Sequence, residues 1–459
     1  MKYTALLLPI TMLISFTSCQ DKNSNATPVQ AVKIITLDPG HFHAALVQKE
    51  MYPAIDTTVY IYAPGGSELD AHLALVSQYN SRAENPTHWS EKVYTGPDYL
   101  DKMLSEKKGN VVVLSGNNQQ KTEYIVKSID AGLNVLADKP MAINTANFVA
   151  LQQAFDHAVS KGLLLYDIMT ERSEITNILQ QELVHMPELF GTMQEGSMQE
   201  PAILIESVHF YYKYVSGKVL RRPSWFFDPT QQGNAITDVG THLIDLVQWE
   251  AFPNQALDYK KDITIQSSKL WPTNVSLSQF KLITGNDSFP AYLSNMVKSD
   301  SILQAHGNGE INYTLKNIHT KIIARWDYQA VSGGDTHYSL FRGTKASIEI
   351  RQGKEENYLT TLYIKPNASE DANVFPNAMQ NAVAKLNATH AGITAEKTLN
   401  GWKLVIPQTF KIGHEAHFAQ VMQRYLQYLN NKKLPDWEVP NMLAKYYTST
   451  KAVEMATKK

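Results

Sequence analysis

Two short stretches combine the residue types that acid–base chemistry requires. Asp138-Lys139-Pro140 ends one apolar run, and Asp238-Val239-Gly240-Thr241-His242-Leu243-Ile244-Asp245 opens another. Proline after Lys139 fixes the chain and holds the lysine extended. A lysine at a strand end points into a crevice. There it can give a proton or a hydrogen bond to a substrate hydroxyl, the more so if partial burial lowers its pKa. His242 and Asp245 stand three apart, on one face of a helix. Such a pair can fix an imidazole's tautomer and bring its pKa toward neutrality. The same two residues could ligate a metal, and Asp238 or Thr241 could simply cap the helix. Taken alone, the tripeptide is a weak signal and Lys139 reads first as a solvated loop lysine.

A third cluster precedes the histidine stretch. His209-Phe210-Tyr211-Tyr212, Tyr214 and Arg221-Arg222-Pro223-Ser224-Trp225-Phe226-Phe227 interleave aromatics with cations. Flat aromatic faces suit the C–H faces of sugars, and arginines suit carboxylates. Arg222 and Trp225 are therefore candidate substrate contacts, against the plain alternative of a domain core with a charged rim. Gly333-Gly334-Asp335-Thr336-His337 is a polar loop that could reach the same crevice, whereas Glu415 and His417 read as surface residues near a helix start.

These residues need a scaffold. Val32–Leu37, Val59–Ala63, Val111–Ser115, Val135–Ala137 and Leu163–Tyr166 are short, β-rich apolar runs. Helical spacing separates most of them, at 44–47, 99–104, 121–131 and 148–159, and residues 67–90 read as a polar insertion. Alternating strands and helices predict an α/β, doubly wound parallel sheet over residues 32–170, whose ligands bind beyond the carboxyl ends of the strands. The breaks at 38–40, 64–66, 116–118 and 138–140 share that rim. From residue 171 the texture changes. A helix over 174–185 is followed by strand-like runs at 202–212, 263–268, 311–315, 319–326, 338–341, 346–350, 359–364 and 404–406, with one helix at 241–249. Residues 171–459 thus predict an α+β domain on an open, largely antiparallel sheet, ending in helices at 416–429 and 440–456. An open sheet also offers a surface for a homo-oligomer.

Gly132-Leu133-Asn134-Val135-Leu136-Ala137-Asp138-Lys139-Pro140 resembles the Gly-Lys-x-Val-x-x-Glu-Lys-Pro segment of the Gfo/Idh/MocA family, the glucose–fructose oxidoreductase and inositol dehydrogenase-like enzymes. Gly233–Asp245, after Trp225–Pro229, is similar to that family's Asp-x-Gly-x-His-x-x-Asp region, and Phe341–Ala346 to its turn before a late strand. The resemblance covers most of residues 32–350. It implies a Rossmann domain, NAD or NADP, and redox chemistry on a sugar, polyol or glycoside hydroxyl. By the same resemblance Lys139 orients the reacting hydroxyl, His242 is the acid/base, and Asp238 supports it or binds substrate. Gly40, His41, His43, Ser115, Asn117, Asp138 and Lys139 become candidate cofactor contacts, and Arg222, Trp225 and Asp245 candidate substrate contacts. The first loop differs from the family pattern. Asp38-Pro39-Gly40-His41-Phe42-His43-Ala44 has one glycine where Gly-x-Gly-x-x-Gly is usual, Pro39 lacks an N–H, and Asp38 would repel phosphate. For His41 and His43 a role in loop structure ranks first, phosphate contact second and a metal third.

Composition narrows the remaining choices. The 459 residues carry 42 Lys+Arg against 44 Asp+Glu, so no basic excess points to nucleic acid. The single cysteine excludes an internal disulfide and a cysteine metal cluster. It is Cys19, after Lys2, the apolar run Ala5–Phe16 and the small residues Thr17-Ser18. That run is too short to span a bilayer and has the size of a signal-peptide core. Small residues directly before a cysteine resemble a bacterial lipoprotein signal. The expectation is a signal peptide over 1–18, lipidation of Cys19, a polar tether over 19–31, and membrane anchorage in the cell envelope. Two other readings follow from the same residues. One is an exported glycan-binding lipoprotein that has lost redox chemistry. The other is metal-assisted hydrolysis by His242, Asp245 and one or both of His41 and His43.

Overall fold

Apolar strands with short connections build the first sheet. The computed structural model describes residues 31–215, 218–330 and 334–458; the expected signal peptide, Cys19, the tether as far as residue 30, and Gly333 lie outside them. In chain order the first sheet's elements are β1 (Ile34–Leu37), α1 (His43–Leu46), β2 (Thr58–Ala63), α2 (Ser67–Ser81), β3 (Ser90–Thr95), α3 (Tyr99–Glu106), β4 (Val111–Leu114), α4 (Asn118–Asp130), β5 (Asn134–Asp138), α5 (Thr145–Lys161) and β6 (Leu165–Ile168). The strand order is β3-β2-β1-β4-β5-β6, every pairing parallel. This is the expected doubly wound sheet, and its order reverses between β1 and β4, where such sheets take ligands. Residues 67–90 are not an insertion. They hold α2, which buries Leu69, His72, Val76 and Tyr79, and the link to β3, an edge strand whose residues stay largely outside the core.

The second half continues with α6 (Ile175–Val184), β7 (Ile203–Phe210), β8 (Tyr214–Val215), β9 (Lys218–Val219), α7 (Val239–Ala251), β10 (Ile263–Ser276), α8 (Leu277–Thr284), β11 (Val297–Lys298), β12 (Ile302–Leu315), β13 (Ile318–Asp327), β14 (Thr336–Arg342), β15 (Ala346–Gln352), β16 (Thr361–Pro366), α9 (Phe375–Asn387), β17 (Thr394–Thr398), β18 (Gly401–Val405), α10 (His414–Asn431) and α11 (Glu438–Thr457). Among the described residues ten strands form one sheet in the order β10-β12-β13-β7-β14-β15-β16-β18-β17, with β11 beside β12. Only β7 and β13 run parallel, so the sheet is largely antiparallel as expected. Three helices, α7, α8 and α9, interrupt these strands, where the sequence shows one.

Each sheet has its own apolar core. The terminal helices join them. Phe418, Val421, Met422, Tyr425, Met442 and Tyr446 of α10 and α11 pack into the core of the first sheet, while Ala444 and Ala452 of α11 face that of the second. A buried ion network lies at the same junction. Asp245 on α7 takes two bonds of 2.6 Å from Arg172 and one of 2.7 Å from Lys445; Arg172 also reaches Glu438, and Lys445 reaches Asp167 at the end of β6. Each of these charges is nearly fully buried, which is tolerable only because every one is paired. Among the described residues no helix is long and apolar enough to cross a membrane.

Candidate active site

The carboxyl rim of the first sheet faces the second sheet across a cavity of about 610 Å³. Seven of the chain's 14 histidines line it (His41, His43, His209, His242, His337, His414 and His417), so imidazole dominates its polar chemistry. Lys139 extends from the end of β5, before a cis Lys139–Pro140 bond, and its Nζ meets Asp238 Oδ1 at 2.7 Å. Burial works against the lysine's charge, but Asp238 and Asp138 outweigh it and the pKa stands above the ordinary lysine value. The expected downward shift of Lys139 is thus reversed. Its counter-ion, Asp238, is held below the usual carboxylate range: burial opposes the charge, and Lys139 overcomes burial. One turn further along α7, His242 is pushed down to about 3 by burial and by the Lys139 charge, so it is a neutral imidazole. Its Nδ1 is buried without a hydrogen-bond partner.

The opposite walls are also charged. Glu171, in the turn after β6, is held below the usual range because His414, which hydrogen-bonds to it, outweighs its burial. Glu174 is raised by burial and by Glu171. His337 at the start of β14 is lowered to about 4, chiefly by burial. His209 on β7 links Ser207 Oγ at 3.0 Å to Asp335 at 3.2 Å, and Lys213 reaches the same carboxylate at 2.8 Å. Arg222 is sandwiched between Phe226 and Trp326 at 4.6 and 4.7 Å, and it donates to the Tyr211 and Phe210 carbonyls.

On the first loop, the structure brings His41 and His43 together with Asp138, at 3.4 and 3.0 Å from one carboxylate oxygen. Ser115 Oγ donates to that oxygen as well, at 3.1 Å. Burial keeps both histidines below their ordinary pKa. The backbone N–H groups of Gly40 and His41 both donate to the Ser115 carbonyl at 3.1 Å, so β1 and β4 are tied across the switch point. The approach is close enough that a Cβ at Gly116 would sit 2.3 Å from the Asp38 carbonyl oxygen.

Lys139, Asp238, His242, Gly40, His41, His43, Ser115, Asp138, Arg222 and Trp225 therefore converge on one rim or its cavity. Two candidates do not. Asp245 is turned away into the Arg172–Lys445 network, so it can serve neither substrate nor metal, because arginine and lysine saturate its oxygens. Asn117 caps α4 by accepting from Gln119 and donates to Gln231; its neighbour Asn118 lines the cavity instead. Trp225 lines the cavity but spends its N–H on Glu68 of α2, at 2.6 Å. His417 is not a surface residue: its side chain is 3% exposed, 3.9 Å from Glu174. Glu171, Glu174 and His414 carry no sequence signal, because the three come from two segments that meet only in the fold.

Two family models match the chain: "Putative oxidoreductase C terminal domain" over residues 179–457, and "Oxidoreductase family, NAD-binding Rossmann fold" over residues 60–166. A solved "putative oxidoreductase" from Parabacteroides merdae is 51% identical, with a TM-score of 0.91 over 93% of this chain and 97% of its own. Levoglucosan dehydrogenase, solved with NADH and levoglucosan, shares the fold at 12% identity and a TM-score of 0.58, covering 92% of this chain and 97% of that one. A protein of gentamicin A biosynthesis in complex with NAD shares it at 13% identity and a TM-score of 0.55, covering 93% and 94%. No curated protein matches the chain.

Proposed function

Because the chain belongs to the Gfo/Idh/MocA family of oxidoreductases, we propose that it oxidises a secondary hydroxyl of a sugar, polyol or glycoside to the ketone, or reduces that ketone back to the hydroxyl. NAD or NADP is the cofactor that goes with its Rossmann fold. The observation carrying the reading is a single cavity holding a lysine kept cationic, its carboxylate partner and a neutral imidazole with an unpartnered nitrogen. The sugar class also draws on levoglucosan dehydrogenase, a fold relative solved with NADH and levoglucosan.

The residues present fit the reacting end of such a cofactor. Asp138, Lys139 and Asn118 line the rim beside Gly116, and the cavity has room for a monosaccharide next to them. The first loop would not grip a diphosphate in the usual way, since Pro39 has no N–H and those of Gly40 and His41 are bonded to Ser115. When bound, the nicotinamide supplies a hydride acceptor or donor. The chain's own residues manage the hydroxyl. Lys139 binds its oxygen and stabilises the negative charge that develops there. His242, being neutral, accepts the hydroxyl proton, and in the reverse direction its conjugate acid returns it. Asp238 keeps Lys139 charged and in place. Assaying the purified chain with NAD and NADP against sugars and polyols, by absorbance of the reduced nicotinamide, tests this. Lys139→Ala and His242→Ala should each lower kcat about 10²–10⁴-fold. Full activity in both variants, or no dinucleotide binding, would overturn the reading.

We also propose that the enzyme acts in the cell envelope, tethered through a lipid on Cys19. Supporting this are the basic residue, short apolar run and small residues that precede the only cysteine.

A further inference from the structure

We propose that His41, His43 and Asp138 form a binding site for a divalent transition-metal ion in the wall of the cavity. The three come from two separated segments, the loop after β1 and the end of β5, yet their ligand atoms all lie within 4.8 Å of one another. His41 Nδ1 and His43 Nδ1 stand 3.4 and 3.0 Å from the same Asp138 oxygen. Neighbouring nitrogen and oxygen donors that share one ion at about 2.1 Å are themselves about 3.0–3.4 Å apart, so both spacings match a coordination sphere.

Charge points the same way. Asp138 is buried, yet its oxygen meets only imidazoles and the Ser115 hydroxyl. The two nearest lysines are bonded elsewhere: Lys139 Nζ to Asp238, and Lys121 Nζ to Asn118 Oδ1 and the Lys139 carbonyl. The buried carboxylate thus has no direct cationic partner in hydrogen-bond contact, and His41 Nδ1 is a buried nitrogen with no hydrogen-bond partner. One ion would answer both. Two imidazoles and one carboxylate suit zinc, manganese, iron, cobalt or nickel, and Ser115 would orient the carboxylate from outside the coordination sphere. All three side chains line the cavity, so the open positions face it. There they would take water or two adjacent hydroxyl oxygens of a substrate. That last step rests on the sugar reading above; the ion site does not.

The test uses the untagged full chain, stripped with chelator and free of both substrate and dinucleotide. Titration with Co²⁺ is followed by its visible absorption, and bound Zn²⁺ is counted by elemental analysis. One equivalent of either metal is expected, with affinity falling at least about 100-fold in Asp138→Asn and in His43→Ala. Circular dichroism checks that these buried variants fold. His41→Ala alters a side chain that is 27% exposed, and should weaken metal while leaving the melting temperature unchanged. No saturable Co²⁺ uptake, or uptake that survives His41→Ala undiminished in the folded protein, overturns the proposal. Either negative would leave the oxidoreductase assay to be decided on its own.

Discussion

Lys139 and His242 differ in charge because one buried pocket shifts them in opposite senses. Asp238 and Asp138 hold the lysine cationic, and that cation, together with burial, holds the histidine neutral. The acid side of the pH–rate profile should show the consequence. For His242 lowered to about 3, kcat/KM should stay flat between about pH 7 and about pH 5, with no loss near the ordinary histidine value of about 6.5. Initial rates at constant ionic strength check this, and a clear ionisation near 6.5 that vanishes in His242→Gln would contradict it. At this scale the sequence was informative where chemistry sits in contiguous motifs. Lys139, Asp238 and His242 were legible from Asp138-Lys139-Pro140 and Asp238–Asp245. Asp245 was misread, because helical spacing places it near His242 but says nothing of Arg172 and Lys445 arriving from elsewhere.

The elements that carry these residues are fixed by buried polar contacts as well as by apolar packing. Asp245→Ala would leave two buried cations sharing one carboxylate fewer, Arg172 with Glu438 alone and Lys445 with Asp167 alone, and breaking a buried pair in this way costs about 3–5 kcal/mol. Urea denaturation should show that loss; a change below about 1 kcal/mol, the range of surface pairs, would mean the network contributes little. Helix α2 offers a second case. His72 is buried with both ring nitrogens unpartnered, and burial lowers its pKa to about 4. The unfolded chain therefore takes up this proton first. The stability His72 permits is full above about pH 6.5 and is lost as pH falls through the folded value near 4. His72→Leu should gain on the parent protein as pH drops from about 7 to about 5, and a constant difference between the two unfolding curves would refute this. Neither α2 nor β3 was legible from pattern. The helix buries only four side chains, and the strand lies at a sheet edge with little apolar signal. The central strands β1, β4 and β5 were plain, being apolar on both faces as helix-covered parallel strands must be.

The whole molecule joins an oxidoreductase fold to a leader that reads as a lipoprotein signal. If Cys19 is the anchor, cells grown with labelled palmitate should yield labelled protein in the membrane fraction, and Cys19→Ser should abolish the label and release the chain. Unlabelled parent protein would refute the anchor. The two-sheet architecture was readable from the change of texture near residue 171, but the return of α10 and α11 to the first sheet was not. Amphipathic spacing says that a helix has an apolar face without saying which partner covers it. That return sets the order in which the molecule can be completed. Phe418, Tyr425, Met442 and Tyr446 are synthesised long after the last strand of the first sheet, yet they fill that sheet's core. During synthesis that sheet waits with an uncovered face until α10 and α11 have emerged, and a nascent chain stalled before α10 leaves it open to chaperones and proteases.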